Sequence, residues 1–475
     1  MKKLLLIILP VLFFTACTKN ISRFNEETKR AANVPAGTLF SNGVRNLSDA
    51  LASASVNTNP FRFTVKHWAM AVYQEEAQYD FFTRNIPQTW WTIMYRDVLN
   101  DLIESSRIIS ADATLAAGVK ANQLAISDLM QVYTWDILVK TFGDVPYKEA
   151  LDPKVLFPKY DDAKTIYTDL LRRVADDISK LNASSAGFSS SEDLIYKGSV
   201  AKWIKFANSL RMKMGMLLAD VDDATAKANV EASDANAISS AADNAMLTYL
   251  SATPNTNPLY ADIVLGGRSD YVAAEDLMNK LTALNDPRKA LFFGKNNAGE
   301  YRGGVVGKTN TFSDMSKPST QVSAATAPVL LLDYVETEFF RAEAKERGYN
   351  VTGTAAQHYN NAIRASIIFW GGTNADADAY LANPDVAYTT AAGDWKQKIG
   401  TQKWIALYNR PFDAWTELRR LDYPVLSLAV SAKSGFPNRY QYPNNEQQLN
   451  GANYTAAASK LGGDKVETKL FWDKF

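Results

Sequence analysis

The chain is 475 residues long, carries 51 basic and 51 acidic side chains, and contains one cysteine and two histidines, His67 and His358. Balanced charge lacks the surplus of cations that phosphate binding needs, which argues against a nucleic-acid partner. A lone cysteine excludes an intramolecular disulfide framework, and two histidines exclude a multi-histidine zinc site. The body must therefore be held by packing, for which 10 Trp, 22 Tyr and 22 Phe supply large apolar surfaces. Length alone allows one large domain or two to three smaller ones.

Met1-Lys2-Lys3 is followed by an apolar run, Leu4 to Phe14, broken by Pro10, and then by Thr15-Ala16-Cys17. A basic start, a short apolar core and small residues before a cut predict an export signal over 1–16. The run falls short of the roughly 20 residues that cross a bilayer. Placing the only cysteine directly after the cut resembles the lipobox of bacterial lipoproteins, with Phe14 where Leu is usual. Cys17 is then the lipidation site, and the alternative is an ordinary signal peptide with an incidental cysteine. Residues 17–33 are polar and read as a flexible tether. The fold is assigned to 34–475 as a single domain.

Ala31 to Phe63, with Pro35, Gly37, Gly43 and Asn59-Pro60, predicts turns and short helix. An aromatic, irregular stretch follows: His67-Trp68, Tyr73, Tyr79-Asp80-Phe81-Phe82 and Trp90-Trp91. From Trp91 onward apolar residues recur on one helical face. Further helices are predicted over 119–142, from Asp161 as a cap to Leu181, and over 199–218. Residues 221–328 are rich in Gly, Pro and Asn, with only Glu275 to Leu284 clearly helical, and are assigned as a loop-rich, ligand-side insert. Helix returns over 329–347, closed by Gly348, and over 355–370. The fold class is therefore all-α, a helical scaffold at 89–219 and 329–424 with irregular C-terminal loops. Ala355, Tyr359 and Ala362 keep tetratricopeptide spacing, and Ala163 and Tyr167 repeat its first half. Two ordinary amphipathic helices would share that spacing.

Little here can build catalysis. Gly303 to Thr309 ends like a phosphate loop, but the required first Gly falls at Arg302. Asp220-Val221-Asp222 imitates a calcium loop, yet Ala224 and Thr225 occupy two of its key positions, so a capped helix end is the better account. Binding is better served. Tyr79, Asp80, Arg84, Asn85 and Trp90 mix flat rings with polar edges, as do Tyr260, Arg268, Tyr271 and Tyr301 in the insert. Core packing competes for each ring, on roughly even terms at Trp90 and Tyr79. Trp135, Trp203, Trp370, Trp404 and Trp415 lie on helices and are assigned to the core. Asp413, Glu417, Arg419 and Arg420 form a charged helix end, assigned as a salt-bridged cap on the C-terminal loops.

Several segments in order resemble one family. They are Ala121 to Leu124 running on to Phe142-Gly143-Asp144-Val145-Pro146-Tyr147, then Asp286-Pro287-Arg288, then Tyr334 to Ala344. Gln402 to Tyr408 with Ala414 to Arg420, and Asn438 to Pro443, complete the series. Together they resemble the SusD/RagB family of outer-membrane lipoproteins of Bacteroidetes. That resemblance implies a tetratricopeptide-like scaffold, surface display, capture of an oligomeric nutrient, most often a glycan, and a SusC-like TonB-dependent transporter as partner. It implies no cofactor and no catalysis. Competing readings are a helical glycosidase or lyase, and a tetratricopeptide scaffold or peptide-binding lipoprotein.

Overall fold

The computed structural model describes residues 34–475, so the signal segment, Cys17 and the tether lie outside the described residues. The first helix, α1 (Ala36–Ala52), is longer than the turns and short helix expected there. Gly43 reads as a turn signal but serves close packing. A β-carbon there would sit 3.1 Å from Leu102 Cγ and 3.2 Å from the Val98 carbonyl oxygen. After the single turn α2 (Phe61–Thr64) and strand β1 (Trp68–Met70), helix α3 (Ile86–Thr92) runs through a π-helical segment, Ile93–Leu99, into α4 (Asn100–Ala111).

The next helix, α5 (Ala117–Phe142), is buried on every side from Leu129 onward and so has no polar stripe there. The short strands β2 (Val145–Pro146) and β3 (Tyr160–Asp161) pair beyond it. Helix α6 (Ala163–Lys180) is capped by Asp162, one residue after the cap expected from sequence, and the Asp162 carboxylate accepts from the Thr165 amide. Helices α7 (Val200–Leu217) and α8 (Asp223–Ser233) follow. Asp222 caps α8 by accepting from the Thr225 amide, which accounts for the acidic run there.

The insert holds β4 (Ala245–Leu247), β5 (Tyr271–Ala273), α9 (Glu275–Ala283) and α10 (Arg288–Phe292). Beyond it, the stretch expected to be one helix from Val329 divides in two. Val329–Leu332 is strand β6, antiparallel to β4, and Asp333 caps α11 (Tyr334–Glu346). A short run of apolar residues carries no period that tells strand from helix, and the cap sets the boundary. The remaining helices are α12 (Ala355–Phe369), α13 (Asn374–Leu381), α14 (Trp395–Ala406), α15 (Pro411–Leu421), α16 (Asn444–Leu449) and α17 (Gly451–Lys460).

Packing runs from neighbour to neighbour: α4 on α5, α5 on α6, α6 on α7, α7 on α8, and then α11 on α12 and α14 on α15. These successive helical pairs are the tetratricopeptide-like scaffold, and Tyr167 and Tyr359 sit at equivalent buried positions within it. All five tryptophans assigned to the core are buried. A second core, around β1, β5 and α9, lies under the loops of the insert.

The charged residues of α15, expected to form a salt-bridged cap on the C-terminal loops, are buried inside the scaffold, where most of them pair with other helices. Arg410 donates to Asp333 at 2.9 Å, to Glu336 and, at 2.7 Å, to Asp413, while Lys213 approaches Glu336 at 3.0 Å. At the far end of α15, Arg420 bridges Glu343 and Glu417, and Lys403 donates to Glu417 at 2.9 Å. This ionic seam joins α15 to α7, α11 and α14. Arg419 stands apart from it, lying over the rings of Trp415 and Trp472 and donating to the Asn438 carbonyl at 2.7 Å.

The α11–α12 pair carries a proton-dependent tie. His358 places Nδ1 2.9 Å from a Glu338 oxygen and Nε2 2.6 Å from the Thr352 carbonyl, so both ring nitrogens face acceptors. Burial alone would lower its pKa, but Glu338 and Thr352 outweigh it and raise the value above that of free histidine. A raised folded-state pKa means stability that is complete below about pH 6.5 and lost as pH rises through the folded value. Thermal melts should therefore show a midpoint that falls with rising pH above that point, and His358→Gln should flatten the dependence. An equal pH slope in the variant would show that His358 contributes no such tie.

Candidate functional site

The site is built around the C-terminal end of β1. Strands β1 and β5 are antiparallel, with Met70 opposite Tyr271, so the segment leaving β1 and the segment entering β5 emerge at the same end. The Ala71 amide donates to the Asp270 carbonyl at 2.7 Å and keeps them together. The loop that resembled a phosphate loop joins them. The buried Asn310 amide donates to the Met70 carbonyl at 2.8 Å and to Val305 and Lys308 of its own loop. Gln78 donates to the Gly307 carbonyl at 2.8 Å.

The C-terminal loop of residues 425–436 completes the junction. The Val430 amide donates to Val306, the Lys433 amide donates to Gln78 at 2.7 Å, and the Ala429 amide donates to the Tyr79 hydroxyl. Gly307 is required where these loops touch. Its φ is +84°, and a β-carbon would fall 2.2 Å from the Val430 carbonyl oxygen.

The surface of this junction is aromatic. Tyr73 is 47% exposed and Phe82 is 60% exposed, with Val72 and Val430 also open to solvent. Arg84 places its guanidinium 5.5 Å from the centre of the Tyr73 ring. It is itself held by Glu76, 2.9 Å from its Nε, and by Glu75 at 3.4 Å. The Glu76 carboxylate is buried; burial pushes its pKa up, and Arg84 works against that rise. Asp80 accepts from the Thr83 amide at 3.0 Å and from its hydroxyl at 2.6 Å. That turn sends Phe81 inward to Tyr440, ring centres 5.2 Å apart, and leaves Phe82 outside. Exposed flat rings with a guanidinium and carboxylates nearby suit a ligand with apolar ring faces and hydroxyl edges.

Of the site residues expected from sequence, Asp80 and Arg84 lie at this junction. Asn85 is half-buried with φ of +50°, at the start of α3. Three of the rings are core instead. Trp90 is 0% exposed between Phe61 and Phe412, so no face of it is open to stacking. Tyr79 is buried edge-on to Phe436, and burial raises its phenol to about 12. Tyr271 is buried and donates to the Ala54 carbonyl at 2.8 Å. Arg268 pairs with Asp270 at 2.7 Å and covers the Tyr271 ring. Tyr260 is half-buried in a π-helical turn, and Tyr301 is half-buried between the ammonium groups of Lys289 and Lys295. Tyr73 and Phe82 were not singled out from sequence. The one local signal was the Phe81-Phe82 pair between Asp80 and Thr83, because adjacent residues in a tight turn point in different directions.

His67 offers no general base. Its Nε2 lies 3.0 Å from the Trp404 carbonyl, and burial pushes its pKa down to about 3. Among the described residues no group of three His, Cys, Asp or Glu side chains is placed to hold a metal ion. No described helix is long and apolar enough to cross a membrane.

Residues 28–443 match the family model described as SusD-like, starch-binding associating with outer membrane. Among solved structures, one titled a chitin-binding protein is 26% identical and superposes with a TM-score of 0.81, covering 93% of this chain and 100% of its own. A chitin-binding SusD homolog from Flavobacterium johnsoniae is 23% identical with a TM-score of 0.78, covering 92% of this chain and 98% of its own. A SusD homolog from Bacteroides uniformis is 24% identical with a TM-score of 0.77, covering 92% and 99% respectively. No curated protein matches the chain.

Proposed function

Because the chain belongs to the SusD-like family, whose members associate with the outer membrane, we propose that it is a glycan-binding surface lipoprotein. In this reading it captures an oligosaccharide at the loop junction around β1 and passes it, unaltered, to a TonB-dependent outer-membrane transporter. The observation that carries the proposal is the pair of exposed rings, Tyr73 and Phe82, on a loop fixed by the Arg84–Glu76 contact and the Asp80 turn. Pyranose rings stack on such faces, and a pre-formed platform loses little entropy on binding. Asp80, Arg84 and Asn85 supply edge contacts, with Tyr260, Arg268 and Tyr301 of the insert on the same ligand. Cys17 carries the lipid, and the outward-facing leaflet is the proposed location. A structural relative that is 26% identical is a chitin-binding protein, which supports a β-linked glycan as the first ligand to try.

The test is calorimetry of the protein against starch, chitin and other plant and microbial oligosaccharides. One or more oligomers should bind, and Tyr73→Ala combined with Phe82→Ala should weaken that binding at least tenfold, about 1.4 kcal/mol. Because both rings are exposed, the melting midpoint should stay within a few degrees of the parent. Unchanged affinity in the double variant would place the ligand elsewhere. Release of shorter sugars from any of these polymers would instead favour a glycosidase or lyase.

A further inference from the structure

The loop that completes the junction, residues 425–436, also bounds a second concavity. It has a volume of about 280 Å³ and is walled by the C-terminal half of α15, by Val425 and Leu426, by Phe436, and by Lys469 and Asp473 near the chain end. Its charges balance, Arg419 and Lys469 against Asp422 and Asp473, so it has no net attraction for an ion. Two of its buried groups are nevertheless unmet. Arg419, 3% exposed, donates to the Trp415, Lys140 and Asn438 carbonyls, and its remaining nitrogen, Nη2, has no acceptor among the described residues. Asp473, 6% exposed, offers one oxygen to Lys469 at 3.1 Å, and its other oxygen has no donor among the described residues. A buried donor and a buried acceptor left unpaired in one concavity are costly unless something supplies their partners. Burial accordingly lowers the Arg419 pKa to about 9 and raises that of Asp473.

A ligand that satisfies both needs groups that give and take hydrogen bonds while carrying no charge, and hydroxyls do so. Phe436, half-buried and edge-on to Tyr79 at 6.4 Å, adds a flat ring to the wall, and Val425, 81% exposed, an apolar lip. An apolar ring face with hydroxyls along its edge is the chemistry of a neutral sugar unit. Val430 borders the aromatic platform and Val425 borders this concavity. The stretch of loop between them reaches at most about 18 Å, so one oligosaccharide of several units spans both. We propose that the concavity is a second sugar subsite, taking a neutral pyranose unit of the same oligosaccharide that stacks on Tyr73 and Phe82, with Arg419 and Asp473 meeting its hydroxyls and Phe436 its ring face. Resting on the glycan-binding reading, this subsite makes affinity depend on the length of the oligomer.

The experiment is calorimetry of the purified chain with chitohexaose, maltohexaose and the matching disaccharides. The hexamer that binds should do so more tightly than its disaccharide. Phe436→Leu, which keeps apolar packing but removes the flat ring, should weaken the hexamer about tenfold and leave the disaccharide, held on the platform alone, unchanged. Asp473→Asn, which turns the unmet acceptor into a donor, should weaken the hexamer in the same selective way. Phe436→Tyr keeps the ring and should retain most of the hexamer affinity, which guards against a folding defect. Unchanged hexamer affinity in both Phe436→Leu and Asp473→Asn would overturn the subsite and leave the concavity to water. Equal losses for hexamer and disaccharide would also overturn it, because the effect would then pass through Tyr79 to the platform. Binding of neither hexamer would overturn the glycan reading and the subsite together. A hexamer weakened by Phe436→Leu but not by Tyr73→Ala with Phe82→Ala would uphold the concavity and overturn the platform.

Discussion

Trp90→Ala will cost the fold about 3–5 kcal/mol, the range for emptying a buried aromatic site. The indole packs edge-on to Phe61 at 5.4 Å and stacks on Phe412 at 5.9 Å, linking α3 to α2 and α15. Losing it opens a cavity where three elements meet, and close-packed interiors relax only in part. Its Nε1 has no hydrogen-bond acceptor among the described residues, so the loss is one of packing alone. Trp90→Phe should consequently be much milder. The check is urea unfolding of both variants, with glycan affinity measured below the transition. A stable Trp90→Ala protein with weakened glycan binding would return Trp90 to the ligand face.

The second large effect belongs to the ionic seam. Arg410→Ala should destabilise by about 3–5 kcal/mol, because removing one member of a buried ion network strands its partners. Those partners are the carboxylates of Asp333, Glu336 and Asp413, with Lys213 the remaining cation. Acid should attack the same seam. For Glu343, burial alone would raise the pKa, but Arg420 and Arg347 outweigh it and hold the carboxyl down to about 2. Glu336 is likewise held below its ordinary value, by Lys213 and Arg410, against burial. A depressed folded-state pKa gives stability that is present above the unfolded value, about 4.3, and is lost as pH falls toward the folded one. Melting midpoints should therefore hold down to about pH 4.5 and drop steeply below it. In Arg410→Ala the drop should begin from a lower midpoint and be shallower. A variant as stable as the parent would mean that water or a rearranged Lys213 replaces the guanidinium.

How much of this was legible depends on the kind of signal. Helices α6, α11 and α12 were legible from apolar residues at helical spacing, but their caps were not: they lie at Asp162, one residue past the expected Asp161, at Asp333, inside the stretch expected to be helix from Val329, and at Thr354. Helix α1 was hidden because Gly43 means a turn in one context and a close helix crossing in another, and only the neighbour at Leu102 decides between them. The same limit applies to α15. Asp413, Glu417 and Arg420 read as a salt-bridged cap on the C-terminal loops until Lys213, Glu336 and Glu343, far away in the chain, are brought against them. At the candidate site the composition was readable but the direction of each ring was not. Tyr79 and Phe82 are neighbours in one turn, and a loop has no period from which inside and outside follow. Asp80 and Arg84 lie at the junction, held there by the Thr83 turn and by Glu76.

The loop junction has a consequence for how the molecule comes into being. Its members arrive from residues 71–85, 260–270, 303–310 and 425–436, and the link from Gln78 to Lys433 spans most of the polypeptide. Scaffold helices close mainly on near neighbours, and contacts between near neighbours form first. The aromatic platform therefore has to wait for the end of the chain. A nascent or C-terminally clipped protein should therefore hold a helical body without the assembled junction, and under the proposed function it should bind no glycan.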